Sequence, residues 1–110
     1  MAWRAKHRFA RISPRKTRLV TELIRGCDVT DALNILKFSP HRAAPMISKV
    51  LRSAMANADN AEADVESLYV KEVFVDGGPT IPRWHPKDRG RAHPIRKRTS
   101  HITVVVEAEE

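Results

Sequence analysis

One cysteine is too few for an internal disulfide or a thiolate metal cage, so Cys27 points to a reducing compartment. Long apolar runs are missing as well. Nothing approaches the roughly 20 residues that a membrane span needs. The first residues carry no apolar stretch of the secretory kind, and the expectation is a cytoplasmic chain, mature as written, with no membrane partner. Aromatics number six (Trp3, Phe9, Phe38, Tyr69, Phe74 and Trp84), so a core has to come from Leu, Ile, Val and Ala. Catalytic signatures are equally scarce: there is no Gly-rich phosphate loop, no Ser nucleophile elbow and no pair of acids suited to a cleft. Histidines 7, 41, 85, 93 and 101 lack metal-ligand spacing, so neither a metal nor another cofactor is expected.

What the chain has is positive charge, unevenly placed. Its 110 residues, the size of one domain, carry a formal net charge of +7. Residues 1–26 hold eight Lys or Arg against Glu22 alone, and residues 79–101 hold seven against Asp88. Between them, residues 27–78 hold five bases against eight acids, and residues 102–110 hold three glutamates and no base. Two basic zones flanking a mildly acidic middle are the footprint of a polyanion binder rather than of generic solubility.

Trp3, Ala5, His7 and Phe9 alternate with Arg4, Lys6 and Arg8, which predicts a strand with one buried and one cationic face, or a solvated edge strand guarded by its bases. Ser13-Pro14 is an N-cap followed by a first-turn proline. Leu19, Val20, Leu23 and Ile24 then form an apolar stripe opposite Arg15, Arg18, Glu22 and Arg25, and Gly26 ends the helix. Thr30 is expected to cap a short helix to Phe38 that buries Leu33 and Leu36. A third helix runs to about Asn60 with Ile47, Val50, Leu51, Ala54 and Ala58 inward. Pro45 means that this helix either begins near it or bends there. Residues 68–75 and 102–106 are β-branched runs and read as strands.

Residues 76–101 connect those strands and are too long for an ordinary hairpin loop. The segment carries Pro79, Pro82, Pro86 and Pro94 and interleaves Trp84 and His85 with Arg and Lys. Two extended arms of about a dozen residues would reach roughly 35–40 Å. So little apolar surface cannot order such an arm in water, so its order must come from a partner. Guanidinium forks grip phosphates and flat side chains stack on exposed bases, which makes nucleic acid the expected partner.

The stretches AKHRFARISPRKTRLVTELIRG (5–26), VLRSAMANADN (50–60), YVKEVFVDGGPTIPR (69–83) and GRAHPIRKRTSHITVVV (90–106) together resemble the bacterial form of the universal L-twenty-two family of large-subunit ribosomal proteins. The resemblance covers nearly the whole chain. It implies an α+β fold: three helices packed on a small antiparallel three-stranded sheet, with a long protruding β-hairpin. It also implies one rRNA-binding domain over 1–110 whose arm spans about 76–101. The implied role is structural, not enzymatic: binding 23S rRNA, supporting early subunit assembly, and lining the nascent-peptide exit tunnel with the hairpin tip. Implied partners are 23S rRNA, neighbouring large-subunit proteins and the nascent polypeptide, with the chain a monomer within the ribosome.

Carried onto this sequence, body contacts to rRNA fall on Arg4, Lys6, Arg8, Arg11, Arg15, Lys16 and Arg18. Hairpin contacts fall on Arg83, Lys87, Arg89, Arg91, Arg96, Lys97, Arg98, Thr99, Ser100 and His101. The tunnel tip comprises Trp84, His85, Pro86, Lys87, Asp88, Arg89 and Gly90. Against the family pattern, Asp88 stands for a small apolar residue, Pro82 for a base, Trp84 and His85 for aliphatic residues and Pro94 for a polar one. Two alternatives remain at this point: an RNA-binding module outside the ribosome, and a small ribonuclease using His85 and His93, for which only Asp88 is near enough in sequence to orient an imidazole.

Overall fold

Period-two patterning becomes strand β1 (Ala2–Ala10) in the computed structural model, which describes residues 2–87 and 91–108. Helices α1 (Pro14–Ile24), α2 (Val29–Phe38) and α3 (Ala43–Asn60) follow, then one 3-10 turn at Val65–Ser67. Strands β2 (Leu68–Gly77), β3 (Ile81–Lys87), β4 (Arg91–Lys97) and β5 (Ser100–Ala108) complete the order. An antiparallel sheet runs β1-β5-β2, and β3-β4 is a separate two-stranded ribbon. The expected α+β class, with three helices, a three-stranded sheet and a hairpin, is the architecture observed. No helix among the described residues is long and apolar enough to cross a membrane.

The helices cover one face of the sheet. Ile102, Val104 and Val106 of the central strand meet Val70 and Val73 of β2, Val20 and Ile24 of α1, and Ile47, Leu51 and Ala54 of α3 in one buried cluster. Each fully buried aliphatic side chain of this size contributes about 1.5–3 kcal/mol. Tightly packed alanines (Ala32, Ala43, Ala44, Ala54, Ala58) let α2 and α3 approach closely, which suits a core poor in aromatics. All five inward positions expected on α3 are buried.

Several expectations need correction. Phe9 is 57% exposed rather than buried, because β1 carries one extra residue between His7↔Ile102 and Ala10↔Ser100. The bulge puts Phe9 at φ +59°, reverses the alternation and hands the inward position to Ala10. On α1 the buried stripe is Thr17, Val20, Thr21 and Ile24, while Leu19 (61%) and Leu23 (49%) face outward. Threonine is admitted because its hydroxyl bonds back to its own helix: Thr17 Oγ1 donates to Ser13 O (3.0 Å) and Thr21 Oγ1 to Arg18 O (3.1 Å). Helix α2 starts one residue after Asp28 instead of after Thr30 and buries Val29 and Ala32 with Leu36, leaving Leu33 partly covered. For Pro45 the first of the two expected placements holds: α3 begins at Ala43, so the proline lies in the first turn, where an amide hydrogen has no intrahelical partner to lose.

The arm is shorter than a dozen residues a side. Strand β2 continues to Gly77 and β5 begins at Ser100, so the ribbon is seven pairs long, about 24 Å. Overall extents are 64 × 24 × 16 Å. Its prolines obey the register. Pro82, Pro86 and Pro94 all fall in the alternate set Pro82↔Arg96, Trp84↔Pro94, Pro86↔Ala92, leaving Ile81↔Lys97, Arg83↔Ile95, His85↔His93 and Lys87↔Arg91 free of them. Amides of one set suffice for an antiparallel ladder, so the rings cost the ribbon no hydrogen bond.

Candidate nucleic-acid interface

The root of the arm is fastened to the body. Gly78 N–H donates to Thr99 O (2.9 Å), Thr99 Oγ1 to Pro79 O (2.7 Å) and Ser100 Oγ to Ile12 O (2.6 Å). Gly78 is there because a Cβ would overlap Thr99 Oγ1 and press on the His101 ring at 3.3 Å. Ser13 caps α1, accepting from Lys16 N–H (3.4 Å).

These fixings open a concave cleft of about 500 Å³ between the starts of α1 and α3 and the end of β4. Arg11, Lys16, His41, Arg42, Lys97 and Arg98 line it, with Ile12, Ser13, Leu19 and Ala43, and among the described residues no carboxylate does. None of its five Arg and Lys residues is ion-paired among the described residues, and all five are exposed. Two helix N-termini add their partial positive charge. The contrast lies at the other end of the sheet. There Glu107 accepts from Tyr69 Oη (3.0 Å) and sits 3.2 Å from Lys71 Nζ. The Tyr69 hydroxyl, then Lys71, holds the Glu107 carboxyl below the usual glutamate range, and Glu107 in turn raises Lys71. At that end charge is neutralised within the chain. In the cleft no such ion pair is present among the described residues.

Of the expected body contacts, Arg11 and Lys16 enter the cleft, Arg4, Lys6 and Arg8 project from β1, and Arg15 is exposed on α1. Arg18, also exposed on α1, donates from its Nε (3.2 Å) and Nη2 (2.8 Å) to Val75 O. Of the hairpin set, Lys97 and Arg98 enter the cleft. Thr99 and Ser100 are buried, with hydroxyls spent on the neck, and His101 Nδ1 accepts from Phe9 N–H (3.1 Å) with the two rings edge to face. Arg83, Trp84, His85, Pro86, Lys87, Arg91 and Arg96 have backbone positions on β3 and β4, and their side chains lie outside what the structure describes. Asp88, Arg89 and Gly90 lie outside the described residues altogether. His85 and His93 stand directly opposite each other on a ribbon that pairs with no other strand among the described residues.

Sequence reading missed His41 and Arg42. They sit in the acidic middle of the chain, and only the turn between α2 and α3 carries them to the neck. The signal available was local: a Ser-Pro-His-Arg break between two helices, with no acid from Ala32 to Ala58. Among the described residues no group of three or more His, Cys, Asp or Glu is placed to hold a metal ion.

Residues 5–107 match the family described as Ribosomal protein L22p/L17e. The protein named Large ribosomal subunit protein uL22 from Geobacter sulfurreducens is 58% identical over 103 residues, 93% of either chain. A protein of the same name from Desulfitobacterium hafniense is 59% identical over 100 residues, 90% of this chain and 88% of its own. Another, from Syntrophobacter fumaroxidans, is 52% identical over 107 residues, 96% and 97% of the two chains. Similarity of this extent, on a fold of the expected class, leads to one conclusion: the chain belongs to the L22p/L17e family of ribosomal proteins.

Proposed function

We propose that this chain is a structural constituent of the large ribosomal subunit that binds 23S rRNA as one unit over residues 1–110 and performs no reaction. The observation that carries the reading is the cleft, where Arg11 and Lys16 of the first basic zone meet Lys97 and Arg98 of the second, with Arg42 beside them and no acid lining it among the described residues. Phosphate, sugar and RNA shape are what such a surface recognises, so base readout is weak. Arg4, Lys6, Arg8 and Arg15 extend the contact over the body. Arg83, Lys87, Arg89, Arg91 and Arg96 extend it along the arm, while Thr99, Ser100 and His101 hold the arm's direction. The relatives' printed name supports the large subunit as the assembly. In this reading the chain joins that subunit early, sits beside other large-subunit proteins as a monomer, and presents the tip, Trp84 to Gly90, to the nascent polypeptide in the exit tunnel.

The test is equilibrium binding of the full chain to large-subunit rRNA across a salt series, with small-subunit rRNA and tRNA as competitors. With about four to six phosphate contacts, log affinity falls by roughly three to five for each unit of log salt. Preference for large-subunit rRNA is expected at every salt concentration. Equal affinity for all three RNAs would sink the ribosomal assignment and leave a general polyanion binder.

A further inference from the structure

The two outer edges of the sheet are finished differently. Along β2 the chain seals its own edge: Gly26 N–H donates to Val70 O (3.0 Å), Val70 N–H to Cys27 O (2.8 Å), Arg25 Nη2 to Val73 O (2.7 Å) and Arg18 to Val75 O. Along β1 the seal among the described residues is a single contact, Asn57 Nδ2 donating to Arg4 O (2.9 Å). That bond also fixes which backbone groups of β1 face away from β5. Residues two apart point the same way, so the N–H and C=O of Lys6 face outward too, within an unbroken register from Ala2 to His7.

Helix α3 runs beside this edge in the opposite sense, and the spacings match. Two strand residues rise about 6.8 Å and four helical residues about 6 Å. Asn57 beside Arg4 is therefore followed by Ser53 beside Lys6 and Lys49 beside Arg8. At these last two places the edge opens into a notch of about 260 Å³ lined by Lys6, His7, Arg8, Lys49, Val50 and Ser53. Lys6, Arg8 and Lys49 are exposed, and none is ion-paired among the described residues. The notch shares no residue with the cleft at the arm's root.

We propose that this notch is a second seat for an RNA sugar–phosphate backbone, with Lys49, Ser53 and the Lys6 N–H as its contacts beside the Lys6 and Arg8 side chains. Backbone amides, hydroxyls and cations are the donors phosphates accept from. An added protein strand fits the site less well, because Lys and Arg on an edge oppose strand pairing. The body then grips two separate runs of RNA backbone, one at the neck and one at the β1 edge. The proposal rests on the RNA-binding reading above.

The experiment repeats the rRNA salt series with Lys49→Ala, with Arg52→Ala as an exposed control one turn along α3 and outside the notch, and with Arg42→Ala in the cleft. Lys49→Ala is expected to lower affinity severalfold and the log–log slope by about 0.7–0.9, Arg42→Ala to do the same, and Arg52→Ala to leave the slope unchanged. A slope for Lys49→Ala equal to wild type, or one matched by Arg52→Ala, overturns the notch while leaving RNA binding intact. If the wild-type chain shows no salt-dependent binding, the RNA-binding reading fails and takes the notch with it. A benzophenone on Ser53→Cys, in a Cys27→Ser background reconstituted into large subunits, should cross-link to rRNA. Cross-linking to protein alone overturns the proposal in favour of an edge-pairing protein partner.

Discussion

In the body, β5 lies between two partner strands beneath the helices, and its Ile102, Val104 and Val106 are fully buried; in the arm, β3 and β4 have only each other. The body thus carries within itself the apolar burial that offsets the entropy of ordering its chain. An isolated two-stranded ribbon is marginal in water, so the arm depends on what holds its root and on what lies along its length. Charge follows the same division. At the Glu107 end of the sheet Lys71 meets a carboxylate, while around the neck the cations meet none among the described residues. One part of the molecule is finished by its own side chains; in the function proposed above, the other is finished by RNA.

The division breaks most severely from inside the body. Leu51 is fully buried on α3, and Leu51→Ala is expected to cost about 2–5 kcal/mol, from a total near 5–15. Urea denaturation followed by helical dichroism measures it. A loss under about 1 kcal/mol would mean a core loose enough to refill the space, and a body that does not depend on its own packing.

At the neck the expected effect is smaller. In Gly78→Ala the new methyl overlaps Thr99 Oγ1, a β-branched side chain held by Pro79 O and unable to swing aside. A loss of about 1–3 kcal/mol is expected from the same urea titration. Stability equal to wild type would show that the neck gives way, and that the arm's direction is not set by these bonds.

Much of this was legible in the residues. The Ser13-Pro14 start, the Gly26 stop (φ +81°) and the inward row of α3 follow from local chemistry at fixed spacing, and the structure has all three. What was not legible depended on distant partners. The β1 bulge is a mismatch of one residue against β5, so Phe9 looked inward by parity alone. Thr17 and Thr21 displaced Leu19 and Leu23 from the core because β2 lies to one side of α1, a fact no helical period contains. That Arg18 also reaches Val75 O depends on where β2 lies, which its own helix does not show. The cleft followed the same rule: zone by zone the charge was visible, but Arg42 joined it only through the path of the chain.

Removing Ile81–Ile95 is expected to have the smallest effect on stability and sharpens the comparison most. The deletion leaves Pro79, Thr80, Arg96, Lys97 and Arg98 to close the turn between Gly78 and Thr99, whose hydrogen bond remains. Five residues are enough for a hairpin connection, and shortening a surface loop changes closure entropy little. A cooperative melt within a few degrees of wild type is therefore expected, with helical dichroism retained. Binding should change in slope rather than vanish, because the deletion takes Arg83, Lys87, Arg89 and Arg91 but spares Lys97 and Arg98 in the cleft. A lost cooperative transition would show that the arm packs on the body and shares its core. A slope unchanged by the deletion would show that the arm's cations never touched RNA, and that the neck and the β1 edge carry the whole contact.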